Sequence, residues 1–117
     1  MFGFKLTDYD KKVYEEEINT FLPKNIIDSH VHVYTRDSEK QRNGKIYWPQ
    51  RVAQDNTIED CVQTYRDLFP NQNVVPVIFG FPENYLGISN AYCKEKSKEY
   101  GYPALFLSHY SADNFKC

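Results

Sequence analysis

Ile26-Ile27-Asp28-Ser29-His30-Val31-His32-Val33 is an apolar run that gives way to two histidines. Its Ile and Val content favours a strand, predicted over residues 25–33. Side chains two apart on a strand share a face. His30 and His32 are therefore predicted to project together, with Asp28 one step behind them on that face. Two imidazoles roughly 7 Å apart at the backbone can both reach one divalent ion at about 2.0–2.1 Å. Ser29, Val31 and Val33 are predicted to point the other way, under a covering helix. A His-x-His pair also reads as plain polar surface. Its position between an apolar run and a long irregular segment argues for a strand's C-terminal end, where parallel α/β folds build their sites.

Upstream, Val13, Tyr14, Ile18, Phe21 and Leu22 recur at helical spacing, with Thr7 or Asp8 as cap and Pro23 as terminator. Downstream, Tyr34 to Asp55 is polar and has no clear period. Loops this long are uncommon inside compact domains and are often functional. This one leaves the chain beside the histidines, where it would shape or cover a pocket mouth. It carries Arg36, Lys40, Arg42, Lys45 and Arg51 against Asp37, Glu39 and Asp55, a basic excess suited to a carboxylate. For any one of those charges, solvation of the loop is the simpler reading. Tyr47-Trp48-Pro49 is its apolar point, an anchor or a pocket lining.

The remainder alternates. Ile58, Cys61, Val62, Tyr65, Leu68 and Phe69 form one apolar stripe, predicting a helix over 56–69 capped by Asn56 or Thr57. Val74 to Phe79 is a near-continuous apolar run, as in parallel strands buried on both faces. Its Pro76 removes one ladder donor. Phe81, just past that strand, is placed to face the site. A helix over 85–100 with Gly101 as its stop precedes a third strand at Pro103-Ala104-Leu105-Phe106-Leu107, and His109 stands at its exit. The fold class is α/β: an N-terminal helix, then about three parallel strands with intervening helices.

The balance of 14 Lys and Arg against 16 Asp and Glu, net −2, argues against a dominant nucleic-acid or anionic-membrane role. Three scattered cysteines, Cys61, Cys93 and Cys117, with no C-x-x-C, suit a reduced compartment, taken as cytoplasmic. Neither a signal peptide nor an apolar run of membrane-spanning length is evident.

Asp28-Ser29-His30-Val31-His32 resembles the D-x-H-x-H signature on the first strand of the amidohydrolase superfamily, and Phe21 to Ile27 resembles its lead-in in the amidohydrolase 2 branch. The resemblance implies a metal-dependent (β/α)8 TIM-type barrel and a divalent cofactor, zinc being expected. It implies His30 and His32 as metal ligands, and Asp28 as a carboxylate behind them that accepts a hydrogen bond and helps set ring orientation. It also implies hydrolysis or non-oxidative decarboxylation of a small organic, carboxylated substrate. Trp48, Phe81 and His109 are the candidate substrate contacts. A barrel of this kind needs about 250 residues, so residues 1–117 are expected to be the N-terminal fragment of one barrel domain, inactive in isolation. Remaining ligands and the general base would lie on later strands. Two other readings stand beside this one. The first is a barrel phosphoesterase or DNase, which also opens on His-x-His. The second is a small non-enzymatic α/β binding domain with incidental histidines.

Overall fold

In the computed structural model, residues 5–39, 51–81 and 86–108 are described. Helix α1 spans Asp8–Val13. Thr7 caps it through a reciprocal box: its hydroxyl accepts from the Asp10 N–H, and the Asp10 carboxylate accepts from the Thr7 N–H. The helix continues as a π-helical turn, Tyr14–Ile18. That turn buries Tyr14, whose hydroxyl donates to Gln72 and accepts from the Asn71 N–H. The N-terminal helix is thereby tied to the turn before the second strand.

Strand β1 is Asn25–His32, and β2 is Asn73–Phe79. They pair in parallel, from Asn25↔Asn73 to His32↔Phe79, joined through helix α2, Ile58–Leu68. Thr57, rather than Asn56, caps α2, in a second reciprocal box with Asp60. Helix α3 is Leu86–Tyr100, closed by Gly101 at φ +71, where a glycine carries no Cβ penalty. The α/β class and its parallel pairing agree with the sequence.

The expected third strand is reduced to a single parallel bridge, Ile78↔Ala104, among the described residues. Its physical reason lies in α3. The Asn90 side chain accepts from the Leu107 N–H, the next donor a longer ladder would use, and donates to the Leu107 carbonyl. The segment still lies on the edge of β2 opposite β1.

Val31, Val33, Ile58, Cys61, Ile78 and Cys93 form the core, with Tyr65, Tyr92, Tyr100 and Tyr102 packed against it. Val31 and Val33 thus lie under α2 as expected, whereas Ser29, expected beside them, is exposed. The Tyr92 hydroxyl accepts from the Ile58 N–H, one of the donors that the first turn of a helix leaves unpaired. Lys96 of α3 pairs with Glu59 of α2 at 3.2 Å and with Glu99 at 2.8 Å. Ile27, Leu105 and Phe106 are exposed. Among the described residues no helix is long and apolar enough to cross a membrane.

Candidate metal-binding histidine pair

The register of β1 against β2 shifts between Asp28 and Val31: three residue steps on β1 match two on β2. This is a β-bulge, and one extra residue exchanges the faces of everything beyond it. Its consequence is visible in Asp28. Asp28 was expected on the histidine face, yet one carboxylate oxygen accepts from the Tyr65 hydroxyl of α2 at 2.8 Å. It therefore lies on the helix side with Val31. Its other oxygen accepts from the main-chain N–H of His30 at 3.2 Å. The hydrogen bond that Asp28 gives the site thus reaches the backbone of His30.

The bulge leaves His30 and His32 together. Their Nε2 atoms are 3.2 Å apart, and the rings meet edge-on at 5.0 Å between centroids. His30 is exposed and His32 half-buried. His32 is held at both ends. Its Nδ1 lies 2.9 Å from the Gly80 carbonyl oxygen, and its own carbonyl accepts from the Asn56 side chain at 2.6 Å. A carbonyl only accepts, so Nδ1 carries a proton, and in the neutral ring Nε2 of His32 presents its lone pair toward His30. Phe79 stands edge-on to both rings, at 5.0 Å from His30 and 4.3 Å from His32.

The separation of the two nitrogens permits a test of fit. Tetrahedral zinc with Zn–N bonds of about 2.0–2.1 Å requires two nitrogens about 3.3–3.4 Å apart. The observed 3.2 Å is within a few tenths of that. It is also the length of an N–H···N hydrogen bond in which Nε2 of His30 donates to Nε2 of His32. Among the described residues no group of three or more His, Cys, Asp or Glu is arranged to hold a metal. The pair therefore supplies two donors, where a catalytic zinc commonly takes three from protein.

Phe81, a predicted substrate contact, is beside the pair, with its ring 5.3 Å from His32 and 6.0 Å from Tyr34. Trp48 and His109 lie outside the described residues. The loop that starts at Tyr34 is closed at its base by an antiparallel bridge between Tyr34 and Asn56, with N–H···O distances of 2.8 and 3.0 Å. Arg36 and Asp55 add an ion pair at 3.4 Å. The loop thus returns to the strand end from which it leaves, and Asn56 then grips His32.

Compared with protein-family models, with curated proteins and with solved structures, the chain matches none.

Three residues that shape the pair carried no functional signal in the sequence. Tyr65 reads as one more member of an apolar stripe, Asn56 as a helix cap and Gly80 as a turn residue. Burial, and then the bond to Asp28, push the Tyr65 hydroxyl well above the ordinary tyrosine range, so it serves as a donor. Gly80 is buried against Ser89 of α3, whose Oγ would lie 1.6 Å from an added Cβ. A strand-ending glycine is the one sequence feature that could have suggested a close approach here.

Proposed function

We propose that the chain is part of a metal-dependent enzyme of the amidohydrolase type, in which His30 and His32 supply two ligands to a divalent ion. The observation that carries this reading is the 3.2 Å separation of the two Nε2 atoms, with Nδ1 of His32 fixed on the Gly80 carbonyl. A backbone carbonyl on the far nitrogen is the partner that metal-ligating histidines ordinarily have. Zinc suits imidazole donors in this geometry. The position supports the reading as well, because both rings stand at the C-terminal end of a parallel strand. A bound metal would activate water or polarise a substrate group. The chain's own contribution is to hold two imidazole nitrogens at metal spacing and to line their flank with Phe79 and Phe81. In this reading the barrel is larger than the 117 residues, and its other strands add the missing ligands and the base. The substrate is a small carboxylated organic molecule, hydrolysed or decarboxylated, and the compartment is the reducing cytoplasm, in keeping with buried, free Cys61 and Cys93.

Zinc titration of the 117-residue chain by calorimetry tests the ligand assignment. One ion per chain is expected, bound more weakly than at a three-ligand site. His30→Ala and His32→Ala should each cost at least as much as loss of an outer partner, about 10- to 100-fold in affinity. Binding that survives the double variant, or no binding by the unaltered chain, contradicts the proposal. The second outcome favours the hydrogen-bonded reading of the same contact and a binding domain without metal.

A further inference from the structure

We infer that Tyr65 is the positioning residue of the histidine pair: through Asp28 it fixes the bulged backbone of His30, and so sets the spacing of the two Nε2 atoms. The inference deepens the metal reading above and rests on it. It starts from an asymmetry. His32 is held by Gly80 on its ring and by Asn56 on its carbonyl. His30 is exposed, and its ring meets His32 and Phe79. What anchors its backbone is the 3.2 Å bond from its N–H to Asp28. That bond lies inside the bulge, where β1 slips against β2 between Asp28 and Val31.

Asp28 in turn is oriented from α2. Its second oxygen takes the Tyr65 hydroxyl at 2.8 Å, and Tyr65 packs against the core beside Cys61 and Val31. A carboxylate held at both oxygens has lost the rotation about its terminal bond. The relay thus runs from a residue seated on the core to the exposed ligand. Without the hydroxyl, Asp28 is free to turn toward water, and the His30 N–H loses its partner. The bulge then has fewer constraints, and Nε2 of His30 samples a wider range about His32.

The test is Tyr65→Phe, which keeps the ring and removes the hydroxyl, with Asp28→Asn as a second variant that leaves one acceptor oxygen for the two donors, the His30 N–H and the Tyr65 hydroxyl. Tyr92→Phe is the control: it deletes another half-buried hydroxyl, the one that accepts from the Ile58 N–H, away from the relay. Zinc affinity of the full chain is expected to fall about 10- to 100-fold in Tyr65→Phe and Asp28→Asn and to stay at the unaltered level in Tyr92→Phe. A metal-free readout accompanies it. In nitrogen-15 spectra the His30 amide should move upfield in Tyr65→Phe, and the ring nitrogens of His30 and His32 should shift away from their paired values. Unchanged affinity and unchanged ring and amide resonances in Tyr65→Phe overturn the inference. If the unaltered chain binds no zinc, the metal reading fails. The resonances then decide the positioning role alone: a Tyr65→Phe shift in both rings upholds it, and no shift overturns it.

Discussion

Nδ1 of His32 and the carbonyl oxygen of Gly80 are 2.9 Å apart, joining the last residue of β1 to the residue after β2. This bond fixes which nitrogen of His32 keeps its proton. Long-range proton–nitrogen spectra at a pH where the ring is neutral should therefore report His32 as the Nδ1–H form. An Nε2–H form would remove the lone pair on which metal binding depends.

Gly80 is required for space. A Cβ there would lie 1.6 Å from Oγ and 2.8 Å from Cβ of Ser89. Gly80→Ala should destabilise the fold by about 1–3 kcal/mol, as overpacking does, and displace the carbonyl that orients His32. Ser89→Gly in the same chain should recover part of that loss. Urea denaturation of the two single variants and the double variant measures the coupling.

Ser89 itself has a buried hydroxyl with no hydrogen-bond partner among the described residues. Burying an unbonded hydroxyl costs free energy. Ser89→Ala should therefore be neutral or stabilising, by up to about 1 kcal/mol, in the same denaturation experiment. A clear loss would mean that the hydroxyl has a partner.

Thr57 caps the helix that carries Tyr65. Thr57→Ala removes the acceptor for the Asp60 N–H and should cost about 1 kcal/mol of stability. Because the helix core stays packed on Val31 and Ile78, the Tyr65 to Asp28 bond should persist. Zinc affinity is then expected to change far less than in Tyr65→Phe.

Burial pushes the thiols of Cys61 and Cys93 up to about 11, from 9.0. The native state thus keeps protons that the unfolded chain releases above pH 9. With more protons bound in the native state, stability falls as pH rises. The contribution is fully present below about pH 9 and lost as pH passes through about 11, with a slope of up to about 1.4 kcal/mol per pH unit for each thiol. Denaturation at pH 8 and pH 10 should show the fall, and Cys61→Ala with Cys93→Ala should flatten it.

Much of the fold was legible in the sequence because local signals and burial agreed there. The stripe from Ile58 to Phe69 made α2, the apolar run to Phe79 made β2, and Gly101 ended α3. The third strand was overstated because a capping interaction from Asn90 competes for the backbone of Leu107. The histidine pair was legible as a pair, since His30 and His32 are two apart and share a face although the bulge between Asp28 and Val31 includes His30. Asp28 was not, because the bulge depends on the register with β2, which is a tertiary property. Strict alternation put it beside His30 and His32, and one inserted residue turned it to Tyr65. The roles of Tyr65, Asn56 and Gly80 follow from that same three-dimensional arrangement.

Zinc K-edge X-ray absorption on the zinc-loaded chain tests the central claim most directly, because it counts imidazoles. Two nitrogen neighbours at about 2.0 Å with the outer-ring scattering of histidine are expected, falling to one in His30→Ala and in His32→Ala. A spectrum with sulfur at about 2.3 Å, or with oxygen neighbours and no imidazole scattering, would place the metal elsewhere and contradict the assignment of His30 and His32.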